Sequence, residues 1–137
     1  MNNTDQGIKR YAPLLIRIGL AAVFIVHGWD KLMDISGTTG FLGKVGVPFP
    51  SVTAWLVTLF EFVGGLLVLV GWRTKLGATA IAIVMVGAII TVKFSQGFAG
   101  GWEKDFVLFL MAISLLFSGP GSPSVDAVQA IDQTTEE

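Results

Sequence analysis

The sequence predicts an all-α membrane protein, a four-helix transmembrane bundle running up-down-up-down. Three observations predict it. The 137 residues are 53% hydrophobic, with a mean hydropathy of +0.72. Only 14% are charged, where a soluble domain carries about 25%. Four apolar runs of helical length follow one another, and Tyr11, Trp29, Trp55, Trp72 and Trp102 stand at their ends, as aromatic belts do at a lipid–water boundary.

Residues 1–12 form a polar N-terminal tail. The first span begins at Pro13, whose missing N–H suits an early helix position, and runs to about Met33. At about 20 residues it exceeds the 7–15 of a signal-peptide apolar region, so no cleavable signal is expected. Residues 34–53, rich in Gly, Thr and Pro, read as a loop with a short re-entrant or interfacial turn around 41–47. The second span is about 54–72. Gly71-Trp72-Arg73-Thr74 makes a tight turn into the third span, about 75–94. Residues 95–101 read as a flexible loop. The fourth span, 102–118, ends at Gly119-Pro120-Gly121. It reaches the roughly 17–25 residues a crossing needs only if Trp102–Asp105 are counted. The membrane domain is therefore 13–121, and 122–137 is a polar, acidic C-terminal tail.

Composition excludes much chemistry. There is no cysteine and one histidine. Disulfide exchange, thiol nucleophiles and Cys-ligated iron–sulfur or zinc sites are ruled out, as is a bis-His haem within one chain. No metal set is expected. A net charge of −1 with no basic stripe gives no case for nucleic acid. A redox role needs a diffusible cofactor, a partner subunit or an oligomer, for which the glycine-rich spans leave room. Lys9, Arg10, Arg73 and Lys75 flank one side in short segments nearly free of acids. Lys31, Lys44, Lys93 and Lys104 flank the other side in equal number, but with acids beside them, so the expectation is a multi-pass protein with both termini cytoplasmic.

Titratable groups within apolar spans tend to be functional. His27 lies ~9 Å from the end of span one, and Glu61 ~10 Å into span two, at 1.5 Å per residue. The spans are antiparallel, so the two fall at similar depth. Asp30 and Lys31 share the His27 face at i+3 and i+4. Lys93 ends span three on that side, and Glu103 and Asp105 begin span four there. His27, Lys31, Glu61, Lys93 and Glu103 are thus the candidate ligand-binding residues, with a His27–Glu61 hydrogen bond joining two helices as the structural alternative. Arg17 lies alone near the opposite face and reads as a structural or snorkelling residue. Gly64 and Gly65 read as close helix contacts. A histidine and a carboxylate can exchange protons and hydrogen-bond a carbonyl or hydroxyl. A quinone offers such oxygens, and its tail prefers lipid.

The order Arg17-x6-Phe24-x2-His27-Gly28-x2-Lys31, Gly46-x-Pro48-x-Pro50, Glu61-x2-Gly64-Gly65, Gly71-x-Arg73-Thr74 and Gly119-Pro120-Gly121 resembles the DoxX family of small bacterial membrane proteins. The resemblance covers about 13–121, with Gly28 among its supporting residues. It implies a four-helix bundle and a likeness to the DoxD-type membrane subunit of thiosulfate:quinone oxidoreductase. Family members often carry a histidine near the end of span three, where this chain has Lys93, so a paired-histidine role does not carry over. The expected function is the membrane subunit of a quinone-linked oxidoreductase system, with a polar pocket in the extracytoplasmic half and a redox partner subunit. Two alternatives are a non-enzymatic scaffold and a proton or solute carrier working as an oligomer.

Overall fold

The computed structural model describes residues 7 and 9–135, and every regular element among them is helical. Its α-helices are, from residue 12 on, α1 (Ala12–Met33), α2 (Ile35–Lys44), α3 (Pro50–Val70), α4 (Thr74–Ala88), α5 (Glu103–Ser118) and α6 (Val125–Thr135). Between α4 and α5 the chain passes through a π-helical segment, Ile89–Lys93, a 3-10 turn, Phe94–Gln96, and a second π turn, Phe98–Trp102. Among the described residues, three stretches are long and apolar enough to cross a membrane: Ala12–Met33, Pro50–Val70 and Thr74–Gln96. Only 33% of each apolar window is buried in the protein, so each turns most of its apolar surface outward. α5 has 16 residues, or ~24 Å at 1.5 Å per residue, less than the ~30 Å of hydrocarbon.

α1 packs along α3, α3 against α4, α4 against α5, and α5 touches α1. The buried stripe of α1 is Pro13, Arg17, Leu20, Ala21, Phe24 and Gly28, spaced three or four apart as one helix face requires. Leu20 and Phe24 meet Val68, Ile81, Met85, Leu108 and Leu115 in a common core. Apolar attraction between helices is weak in lipid, so close contact through small residues does more of the work. A Cβ on Gly28 would lie 2.6 Å from the backbone nitrogen of Phe62, and one on Gly77 would lie 2.8 Å from the carbonyl oxygen of Gly64. One on Gly65 would meet Ile25 at 3.0 Å. These glycines set the α1–α3 and α3–α4 distances.

Four of the expected elements differ. The stretch 95–101, expected as a flexible loop, holds the end of the 3-10 turn and most of the second π turn. The second span starts at Pro50, earlier than residue 54, because Pro50 takes the first-turn position that tolerates a missing N–H. The stretch expected as a loop holds α2, whose N-cap Asp34 accepts a hydrogen bond from the Gly37 amide at 2.8 Å. The acidic tail holds α6. Its Asp126 carboxylate accepts from the amides of Arg73 (2.8 Å) and Thr74 (3.0 Å) and from the Thr74 hydroxyl (2.9 Å). Asp126 thereby caps the N-terminus of α4, where otherwise unpaired amides favour a negative charge. It also holds Arg73 in a left-handed conformation at φ 46°, which a residue with a Cβ adopts only at a cost. Burial pushes the Asp126 carboxyl up. The Thr74 and Arg73 hydrogen bonds and the Arg17 charge outweigh it and hold the group below its ordinary value.

Arg17, read from the sequence as structural or snorkelling, is buried. Its guanidinium donates to the carbonyls of Val68 (2.8 Å), Leu69 (2.6 Å), Pro120 (3.1 Å) and Pro123 (2.7 Å). The first two belong to the last turn of α3, whose carbonyls have no partner inside the helix. The other two belong to the segment leading to α6. One side chain thus ties α1, the end of α3 and the C-terminal segment together. Gly71 closes the knot: its φ is 69°, and a Cβ there would meet the Arg17 guanidinium at 2.6 Å.

Candidate functional site

At the opposite end of α1 from Arg17, two ion pairs cross between helices. Lys31 Nζ lies 2.5 Å from Glu61 Oε2, joining α1 to α3. Lys93 Nζ lies 2.6 Å from Asp105 Oδ2, joining the π-helical segment to α5. Both carboxylates are buried and both ammonium groups partly exposed. Each charge offsets its partner, as charges within apolar spans must.

Gly28 presses α1 onto Phe62 of α3. His27 and Lys31 lie only ~40° apart about the α1 axis, and both line the same side of it. The structure pairs Glu61 with the longer Lys31 side chain, and the His27–Glu61 hydrogen bond read as the structural alternative does not form. Asp105 continues the buried stripe Leu108, Ala112, Leu115 of α5. Glu103 falls off that stripe and is exposed. A π turn takes up more residues than an α turn, so the Ile89–Lys93 segment presents Lys93 at an angle that a continued α4 would not reach. Phe98, Trp102 and Phe106, with ring centroids 4.7–6.1 Å apart, pack the connection that brings α5 back.

Both pairs line one cavity of about 440 Å³, within the ~300–1,000 Å³ typical of small-molecule sites. α1 contributes Val23, Phe24, His27 and Lys31, and α3 contributes Leu56, Val57, Phe60 and Glu61. Met85 and Gly87 of α4, Lys93, and Lys104, Asp105 and Leu108 of α5 complete much of the wall, with Thr38, Phe41 and Leu42 of α2 on one side. Thr38, Thr53 and Thr91 also line it, but each hydroxyl donates to a carbonyl in or next to its own helix. No hydrogen bond or ion pair reaches the His27 imidazole among the described residues. The cavity is therefore mainly apolar, with one charged end and one free imidazole.

Of the candidates read from the sequence, His27, Lys31, Glu61 and Lys93 come together here and Glu103 does not. Gly28, Gly64 and Gly65 lie in helix contacts, outside the cavity wall. The sequence reading passed over Asp105 as a site residue. The signal was its i+3, i+7 and i+10 spacing to Leu108, Ala112 and Leu115.

A family model described as DoxX matches residues 12–94. The chain belongs to the DoxX family. The matched region contains His27, Lys31, Glu61 and Lys93 and stops short of Asp105. Among relatives, the protein named "Putative oxidoreductase CatD" from Bacillus subtilis is 38% identical, over 77% of this chain and 78% of its own. An uncharacterized membrane protein of Mycobacterium tuberculosis is 34% identical, over 82% and 78%. The inner membrane protein YqjF of Escherichia coli is 32% identical, over 82% and 88%. No solved structure matches the chain.

Proposed function

We propose that this DoxX-family protein is the membrane subunit of a quinone-linked oxidoreductase system of the bacterial inner membrane. One observation carries the reading. His27, without a partner among the described residues, shares a largely apolar cavity of about 440 Å³ with two lysines whose charges are already balanced. Such a site suits a ligand that is mostly apolar and uncharged but carries oxygens able to accept hydrogen bonds. A quinone has that character, and the residues present fit it. His27 would donate to one ring oxygen, and the partly exposed Lys31 and Lys93 ammonium groups have further protons to donate. Glu61 and Asp105 hold those lysines in place. When bound, the quinone supplies the two-electron chemistry. The chain binds the ring, orients it and shields it from water. Two relatives named as inner membrane proteins and one named as an oxidoreductase support the assignment by likeness.

In this reading residues 13–121 are the functional domain and α5 is the fourth crossing, completed by the turn at Phe98–Trp102. Both termini face the cytoplasm, and the cavity opens in the extracytoplasmic half. A redox partner docks on the protein and exchanges electrons with the bound quinone. Reporter fusions at residue 137 test the topology: a C-terminus outside the cytoplasm overturns it.

Thermal unfolding of the purified protein with a detergent-soluble quinone analogue tests the site, because a ligand that binds the folded state raises Tm. The wild type should gain stability, and His27→Ala and Glu61→Gln should lose that gain. No shift in the wild type, with the quinone demonstrably dissolved, contradicts the proposal.

A further inference from the structure

We propose that the cavity opens sideways into the lipid between α3 and α4, and that Gly87 is the sill over which the tail of a membrane-dissolved amphiphile leaves it. The inference deepens the quinone reading by naming the route and the tail, and it can fail separately from that reading.

α3 and α4 are antiparallel neighbours joined by the short turn at Gly71–Arg73. Near that turn they are pressed together, with Gly64 and Gly77 backbone to backbone. Toward the other end the cavity lies between them. Leu56 and Phe60 of α3 and Ile83 and Gly87 of α4 all line it. These same residues also belong to the outer surface: Leu56 is 50% exposed, Ile83 56% and Phe60 36%. Residues that are both cavity wall and outer surface mark a mouth. They lie in stretches long and apolar enough to cross a membrane, so hydrocarbon is what meets that mouth.

Gly87 is the one position on this rim without a side chain. It is exposed, and a Cβ there would meet nothing within 4 Å. Its neighbours on α4 fill their space with Val84, Met85 and Val86. Gly87 therefore leaves a gap at the rim that helix packing does not require, unlike Gly64 or Gly77. It stands six residues before Lys93, just ahead of the π-helical segment that carries the lysine. That separation puts a hydrogen-bonding headgroup at the Lys31, Lys93 and His27 end while its tail crosses the rim into lipid. The shared ligand chemistry is an oxygen-bearing head on one flexible apolar tail, which describes a prenylated quinone and also a free fatty acid.

The test measures equilibrium binding to the full chain in lipid nanodiscs. The probes are a decyl-tailed benzoquinone, its tail-less head and dodecanoate. Gly87→Phe starts from a Cβ that meets nothing within 4 Å, and a helix-interior glycine is the weaker choice for stability, so the variant should keep its unfolding temperature. Leu56→Trp, on the facing wall, repeats the test should Gly87→Phe fold poorly. The tailed quinone should lose about ten-fold in affinity in either variant, and the tail-less head should stay within about two-fold. Dodecanoate bound with the same sensitivity, in the absence of any quinone binding, supports the lateral mouth and removes the quinone reading. Tailed ligands that bind equally well to wild type and both variants overturn the mouth and leave the quinone site standing.

Discussion

Replacing Arg17 by methionine removes the cation that joins three parts of the chain while keeping most of the buried volume. Four hydrogen bonds are lost, to Val68, Leu69, Pro120 and Pro123. A hydrogen bond to a charged group contributes about 1.5–3 kcal/mol, so the gross loss is roughly 6–12 kcal/mol. Three terms offset it. Methionine regains the desolvation cost of the guanidinium, which is several kcal/mol for a buried ion. Three of the four carbonyls are at partly buried bonds, where water can replace the donor. The thioether side chain of methionine also packs where the arginine stem lay. A net destabilisation of about 3–4 kcal/mol remains, large for one substitution. Arg17→Lys keeps the charge but lacks the planar fork of donors, and should lose about half as much. The assay is reversible unfolding in mixed micelles, paired with limited proteolysis of the C-terminal segment. Proteolysis should cut between 119 and 125 early in Arg17→Met and late in the wild type. An Arg17→Met protein within about 1 kcal/mol of the wild type, with an unchanged cleavage pattern, refutes the reasoning that this side chain is the main fastening.

Three further outcomes follow from the contacts. Asp126 has a folded-state pKa held below its ordinary value, so its contribution is present above about pH 4 and is lost as the pH falls through the lowered value. Acid unfolding of Asp126→Asn should lack that part of the decline, and at neutral pH the weaker cap of α4 should cost about 1 kcal/mol; equal acid profiles contradict the capping role. Gly28→Ala places a Cβ 2.6 Å from the Phe62 nitrogen and should cost about 1–3 kcal/mol by overpacking, whereas Gly87→Ala should be neutral or stabilising by up to ~1 kcal/mol. Unfolding titrations of the two variants side by side would show the contrast, and equal effects would remove it. Lys31→Met leaves Glu61 buried without its partner, for a loss of about 2–3 kcal/mol given the partial exposure of the lysine. Lys31→Met with Glu61→Gln should recover most of it, and a double-mutant cycle showing no coupling would mean the pair does not act as one.

The apolar runs were legible because a membrane span needs continuous hydrophobicity and little else. The depth argument that matched span one to Glu61 also survives, since rise per residue is fixed. Rotation about the helix axis was harder to read. His27 and Lys31 lie only ~40° apart about the α1 axis, and Glu61 pairs with the longer lysine. The same question decided between Glu103 and Asp105, and there the buried stripe of α5 already held the answer. The π-helical segment at Ile89–Lys93 has no signature in residue type, because it arises from fitting α4 to α5. α2 was hidden by its glycines at 37, 40 and 43, which weaken helix propensity, although Asp34 is a strong N-cap residue. The partners of Arg17 are backbone carbonyls 51 to 106 residues away, and no side-chain pattern announces them.

The central claim is that the cavity beside His27 holds a lipid-soluble, oxygen-bearing ligand. It is tested most directly by an experimental structure of the protein extracted from its native membrane into nanodiscs without detergent. The account predicts elongated density with its head within hydrogen-bonding distance of His27 and its tail passing between α3 and α4 at Gly87. A cavity closed by rearranged side chains, with His27 hydrogen-bonded inside the protein, would contradict it.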